Sequence, residues 1–319
     1  MTNIFDFKNI TLEKVACNCC RSDHYTAISN YEYGLRPMRI CLCLNCGLIY
    51  INPRMSKDDY DLYYKEYYRE DRQLLKKGRR GGSLDQNFEA ACLFGKAFSG
   101  QFKNFLKAGL VVDVGSSTGG VLAGFKESIP GLEVLGIEPS KEEAGFANQR
   151  GIKTLNTLFE NLNHEFRGLS AVICVQSLNH LLDPRSFFEW SYNILKEDGL
   201  LILSVKNFRH QVFRAGSLSG AVQVDHPYMF VSETLRLFVE SVGFEIVYFD
   251  HDEFKSLSEL LHQKEQGLTT QHIRLTAKKS PSKKVDPKKI HAPLLARQIG
   301  WQLSPWYIGY KKLRYRLKF

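Results

Sequence analysis

The chain has 319 residues, 44% of them hydrophobic and 24% charged, enough for one large domain with an appendage or for two ordinary domains. No run approaches the roughly 18 consecutive apolar residues of a membrane span, and the first residues, Met1-Thr-Asn-Ile-Phe-Asp-Phe-Lys8, lack the basic-then-apolar pattern of a secretory signal. The expected compartment is therefore the reducing cytoplasm. The net charge of +9 is unevenly placed: between Lys278 and Phe319 twelve Lys or Arg face Asp286 alone, so this stretch is +11 and the rest of the chain sums to −2. The basicity belongs to a tail and says little about the body.

Residues 1–54 hold six of the eight cysteines, and in a reducing compartment such clustering argues for metal ligation over disulfides. Cys17-x-x-Cys20 and Cys43-x-x-Cys46 form C-x2-C-x22-C-x2-C, a pattern of the zinc kind. Each knuckle brings two thiolates to one tetrahedral Zn²⁺, and four thiols with no place for water make that zinc structural. Cys19 and Cys41 are spare thiols that compete for the ligand role, and Gly47 eases the second turn. Cys92 and Cys174 stand alone in apolar surroundings and read as core residues.

Residues 55–109 begin with the tyrosine-rich Asp59-Tyr-Asp-Leu-Tyr-Tyr-Lys-Glu-Tyr-Tyr68, pass through the basic loop Lys76-Lys-Gly-Arg-Arg-Gly-Gly82, and end in a helical pattern from Leu84 to Leu106. From 110 to 278 short apolar runs alternate with helix-length amphipathic segments. The runs are Leu110–Val114, Val134–Ile137, Leu169–Val175, Leu200–Val205, Phe244–Phe249 and His272–Thr276, without the polar alternation of a half-exposed strand. Helices are expected at Gly119–Glu127, Lys141–Gln149, Pro184–Leu195 and Ser232–Val242, with Asp183 as N-cap before Pro184. Strand alternating with helix implies a doubly wound, mostly parallel sheet. The last strand is expected to enter antiparallel, after a long connection at Asp250–Thr269.

Within Val111-Val-Asp113-Val-Gly115-Ser-Ser117-Thr-Gly119-Gly120 a strand ends in a turn of small residues that feeds a helix. Glycine permits positive φ and close approach of a ligand to the backbone, and the helix start favours a negative group. Twenty-five positions after Asp113, Leu135-Gly-Ile-Glu138 ends the next strand in a carboxylate, placed to accept both ribose hydroxyls of a nucleoside or, alternatively, to cap the following helix.

On these features the chain resembles the class I S-adenosylmethionine-dependent methyltransferases, in particular the subgroup that includes ubiquinone- and sugar-methylating enzymes. The resemblance spans about Leu110 to Lys278 and adds two stretches: Gln176-Ser-Leu-Asn-His180-Leu-Leu-Asp-Pro184, similar to the family's Glu-His-x-x-Asp-Pro, and Leu195-Lys-Glu-Asp-Gly-Leu-Leu-Ile202 at the entry to the fifth strand. It implies an α/β fold, a Rossmann-like, mostly parallel seven-stranded sheet with an antiparallel last strand, joined to a small N-terminal zinc ribbon. It implies an S-adenosylmethionine site made by Asp113, Gly115, Ser117, Gly119, Glu138 and Gln176. Ser117 replaces the family's central glycine and Asn179 its glutamate. Sugar-modifying members share the N-terminal module, its ending Cys46-Gly-Leu-Ile-Tyr-Ile-Asn-Pro-Arg54 and the tyrosine-rich segment.

Methyl transfer needs alignment of a nucleophile and, for many acceptors, removal of a proton. His180 is the first choice for general base. His226, in Val224-Asp225-His-Pro-Tyr-Met-Phe230, is the second catalytic candidate, with Asp225 beside it to orient an imidazole. Tyr63, Tyr64, Tyr67 and Tyr68 either stack on a sugar or pack as core, and Asn207–Ala221, with Arg209, His210 and Arg214, reads as a substrate-facing or plainly solvated loop. The expected acceptor is a sugar nucleotide or surface-glycan precursor; a small aromatic or quinone-like molecule is the alternative. A nucleic-acid-binding zinc ribbon is disfavoured, because residues 1–54 carry six basic against four acidic residues. The tail at 279–319, with Trp301, Trp306, Tyr307, Tyr310 and Tyr315 among Lys and Arg, suits an anionic membrane surface or packs its aromatics on the body.

Overall fold

A computed structural model describes residues 5–33, 36–68, 83–102, 104–106, 108–162, 165–253, 255–280, 284–287 and 292–316. The basic loop at 76–82, most of the linker at 281–291 and the last three residues lie outside the described residues.

The cysteine-bearing segment supplies β1 (Leu12–Glu13), β2 (Tyr25–Tyr33), β3 (Arg36–Cys43), β4 (Ile49–Ile51) and β5 (Arg54–Met55). β2, β3 and β4 pair antiparallel in that order, and β1 pairs with β5. Helix α1 (Lys57–Leu62), capped by the Ser56 side chain, runs on into a π-helical turn at Tyr63–Tyr67. Helix α2 (Leu84–Ser99) opens with a capping box between Ser83 and Gln86.

From there strand and helix alternate: β6 (Gly109–Val114), α3 (Gly120–Ser128), β7 (Leu132–Ile137), α4 (Lys141–Gln149), β8 (Thr154–Leu155), β9 (Leu169–Val175), α5 (Pro184–Ile194) and β10 (Leu195–Lys206). They are followed by α6 (Phe208–Ala215), α7 (Leu218–Ala221), β11 (Tyr228–Met229), α8 (Ser232–Val242), β12 (Phe244–His251), α9 (Leu257–Glu265) and β13 (His272–Lys279). The sheet order is β12-β13-β10-β9-β6-β7-β8, seven strands in which β13 alone runs antiparallel to its neighbours β10 and β12. This is the expected Rossmann-like sheet. Phe187 and Phe188 of α5 and Phe238 of α8 pack one face, and Phe94 and Phe98 of α2 with Phe125 of α3 pack the other. Each such ring contributes about 1.5–3 kcal/mol on leaving water, and the apolar runs of β9 and β10 are buried because both faces are covered.

Several elements depart from the sequence reading. The expected long connection at 250–269 contains α9, whose Leu257 and Leu261 are exposed; a Ser256–Glu259 capping box starts it, so no apolar stripe announced it. The stretch 207–221, read as a loop, is α6 and α7: Asn207 caps α6, and Phe208 and Val212, four apart, bury its inner face. β8 has two residues, too few to show a period. The tail forms α10 (Ala292–Gln302) and α11 (Pro305–Arg316), and Ile299, Leu303 and Ile308 bury against the cluster containing Ile40 and Leu42 of β3.

Candidate active site

Where β6 ends, Gly115 and Gly119 take φ +77 and +78, values open to glycine, and Ser117 takes +48, also left-handed. The N–H groups of Gly115 and Ser116 donate to the Ile137 carbonyl at 2.8 and 3.1 Å, joining the turn to the tip of β7. One residue on, Glu138 accepts the Ser117 N–H on Oε2 and the Ser140 N–H on Oε1, each at 2.8 Å. It therefore braces the turn and the start of α4 together. Burial and the nearby Glu143 push its carboxyl up to about 8, against the downward pull of those two N–H groups. Asp113 is buried with no hydrogen bond to either carboxylate oxygen among the described residues, and burial alone pushes it up to about 8.

A cavity of about 930 Å³ lies across the carboxyl ends of β6, β7, β9 and β10, the place where such sheets bind ligands. Asp113, Gly115, Ser117, Glu138, Gln176 and His180 all line it. Gly119, also expected at the cofactor, is not among the lining residues and serves as the left-handed N-cap of α3; Gln176 takes φ +59 at the tip of β9. The donor set fits a nucleoside: Glu138 keeps lone pairs for a diol, since a carboxylate has about four acceptor sites. Ser116 Oγ is buried and unpartnered in the same turn.

Three distant segments meet at His180. The Tyr64 hydroxyl lies 2.5 Å from His180 Nδ1, and the Asp225 Oδ2 atom lies 3.5 Å from the same nitrogen. On the other side His226 Nε2 is 3.1 Å from His180 Nε2. Burial holds Tyr64 well above the usual phenol range, so its hydroxyl keeps its proton beside Nδ1 and can donate to the tautomer that carries its proton on Nε2, facing His226. Tyr60 donates to the carbonyls of His180 and Asp225, tying the two loops together. Asp225 approaches His226 Nε2 only to 4.0 Å, so its carboxylate serves His180 more closely than its sequence neighbour.

In the N-terminal segment Cys17, Cys20, Cys43 and Cys46 converge, all buried, with their sulfurs within 4.8 Å of one another. Cys17 to Cys46 and Cys20 to Cys43 are each 3.4 Å, far beyond a disulfide bond of about 2.05 Å. Zn–S bonds of about 2.3 Å in a tetrahedron need sulfurs about 3.8 Å apart, so the four thiols fit one zinc ion. Cys41 points elsewhere, to the Arg39 and Asn52 carbonyls, and neither it nor Cys19 belongs to the group. Gly47, at φ +78, returns its N–H to the Cys43 carbonyl at 2.9 Å.

Residues 84–248, just over half the chain, match the family model described as "Methyltransferase domain". The chain belongs to that family. It is an S-adenosylmethionine-dependent methyltransferase of Rossmann-like fold. No curated protein matches it. Among solved structures it is similar to magnesium protoporphyrin IX methyltransferase from Synechocystis, at 16% identity and TM-score 0.49, over 70% of this chain and 100% of that one. It is also similar to a possible histamine N-methyltransferase from Thermotoga maritima, at 20% identity and TM-score 0.45, over 69% and 99%.

Within this methyltransferase the sequence-derived candidates separate. His226 is 3% exposed and reaches the cavity only through His180, so its place is behind the reacting space. Arg209, expected on a substrate-facing or solvated loop, is held by Glu233 at 2.6 Å and Glu253 at 3.2 Å and is not among the residues that line the cavity. Tyr60 was missed, and Tyr64 was left between a sugar contact and a core residue. Their spacing, with Tyr68, at four-residue intervals was the available signal for one shared helical face, and all three line the cavity.

Proposed function

We propose that this methyltransferase acts on a sugar nucleotide or a surface-glycan precursor, at oxygen or carbon, with His180 as general base. The observation that carries the reading is the surround of that imidazole. Once protonated, His180 has Asp225 Oδ2 and the Tyr64 oxygen near Nδ1 and His226 Nε2 near Nε2, so both N–H groups have acceptors. Such a pocket favours the imidazolium that proton removal creates. The proton reaches Nδ1 through Tyr64, whose hydroxyl passes its own proton to the ring as it takes one from the acceptor, while His226 and Asp225 act as positioning residues.

Glu138 would hold the ribose hydroxyls, the turn Gly115–Gly119 would let the backbone approach, and Asp113 and Gln176 would close the pocket. S-adenosylmethionine, when bound, supplies a methyl group on a sulfonium, already reactive toward a well-aligned nucleophile. A hydroxyl-rich acceptor is supported by the wall of Tyr60, Tyr64 and Tyr68 beside Ser83, Asn87 and Glu160, which combines ring faces with hydrogen-bonding groups. The cysteine group would hold a structural zinc. Its first knuckle bonds the start of α5, through Asn18 to Asp183 at 2.8 Å and from Arg185 to the Asn18 and Cys19 carbonyls. A zinc there would steady the loop that carries His180.

The test is transfer of labelled methyl from S-adenosylmethionine to a panel of nucleoside-diphosphate sugars and, in parallel, to phenolic and quinone acceptors. Turnover confined to the second group would overturn the sugar reading.

A further inference from the structure

Helices α10 and α11 and the turn between them dock on the body through Ile299, Leu303 and Ile308, while Trp301, Trp306 and Tyr310 stay outside. Trp301 is 62% exposed, Trp306 88% and Tyr310 56%, with Leu294 at 60%. Trp301 and Tyr307 have ring centroids 4.6 Å apart and Tyr307 and Tyr310 6.5 Å, so these three rings form one group instead of scattering. Scattered single apolar residues are ordinary on a protein surface, whereas a cluster marks a binding face. The surrounding sequence is the most basic of the chain: from Lys278 onward the net charge is +11, and Lys311, Lys312, Arg314 and Arg316 follow directly on Tyr310.

We propose that this helical pair is a docking surface for an anionic lipid bilayer, where it would hold the enzyme at the membrane face. Tryptophan and tyrosine prefer the headgroup level, where an apolar ring meets a wet edge. Basic residues alongside them are drawn to the negative surface potential. Aliphatic Leu294 favours lipid over nucleic acid, since it adds to insertion at the acyl boundary and contributes nothing to base stacking. No described helix is long and apolar enough to cross a membrane, so the attachment is peripheral. The inference is independent of the acceptor, because none of these residues lines the cavity.

The experiment is sedimentation of the full chain with vesicles of phosphatidylcholine alone and of phosphatidylcholine mixed with phosphatidylglycerol, followed also by tryptophan emission. Two of the three tryptophans are in the pair, and the third, Trp190, packs among Phe159, Phe166 and Phe187. Expected are preference for the anionic vesicles, a shift of emission to shorter wavelength, and loss of binding as salt rises. The double variant Trp301→Ser, Trp306→Ser should lose binding with unchanged thermal unfolding, since both rings are exposed. Lys311→Ser should weaken binding about fivefold, as about 1 kcal/mol per basic residue implies. Equal binding to both vesicle types, binding unaffected by the aromatic variant, or tighter capture by a single-stranded RNA at the same salt would overturn the proposal.

Discussion

Ser117→Gly should make the protein more stable. The serine holds φ +48 in the cofactor turn while its N–H is fixed on Glu138 at 2.8 Å, so it cannot leave the left-handed region without breaking that bond. A side chain in that region costs about 1–2 kcal/mol. Glycine removes this strain and adds about 0.5–1 kcal/mol of unfolded-chain entropy against folding. The expected balance is a gain of about 0.5–1 kcal/mol, read from urea denaturation at fixed slope. Ser117→Ala keeps the Cβ and should show no gain, and Ser117→Val should lose stability because a β-branched residue tolerates positive φ least. Calorimetric titration with S-adenosylhomocysteine should find the glycine variant binding up to about fivefold tighter, the equivalent of about 1 kcal/mol. A glycine variant less stable than the parent, or an alanine variant as stable as the glycine variant, would refute the strain argument.

Asp113→Asn tests the buried carboxyl. Its folded-state pKa of about 8 lies above the ordinary 3.8, so its contribution to stability is fully present below pH 3.8 and lost as pH rises through 8. The variant should gain on the parent by up to about 1.4 kcal/mol per pH unit across that window, and parallel stability curves at pH 5 and pH 8 would sink the idea. His180→Ala should cut kcat by about a hundredfold or more, the usual share of a general base, with little change in cofactor affinity. Under the same assay His226→Gln should lower kcat less and displace the acid limb of the pH–rate profile, where a general base is lost to protonation. With the proposed zinc in the cysteine group, a chelator or Cys43→Ser should lower both melting temperature and turnover, because the first knuckle bonds the start of α5; full turnover and an unchanged melting temperature in the treated protein would count against the zinc. Truncation after Lys279 should reduce the melting temperature, since Ile299, Leu303 and Ile308 contribute about 1.5–3 kcal/mol each; an unchanged melting temperature would show the pair to be loosely attached.

The alternation of strand and helix, the small-residue turn and the cysteine spacing were legible because each is a local pattern. The antiparallel last strand was expected from an apparent lack of a helix before it, and α9 lies there. Val, Ile and Leu runs covered on both faces identify themselves within a few residues, and Pro184 after Asp183 marks a helix start without reference to the rest of the chain. The His180 cluster was not legible in this way. Tyr64 lies 116 residues from His180 and His226 lies 46 away, so their meeting depends on how the loops after β9 and before β11 are closed over α1. The same holds for Ser117: its identity was visible, but its left-handed φ and the bond of its N–H to Glu138 were not. In the tail, composition showed aromatics among basic residues, and only packing decided which of them face water. Ile299, Leu303 and Ile308 entered the cluster that holds Ile40 and Leu42, and Trp301, Trp306 and Tyr310 stayed exposed.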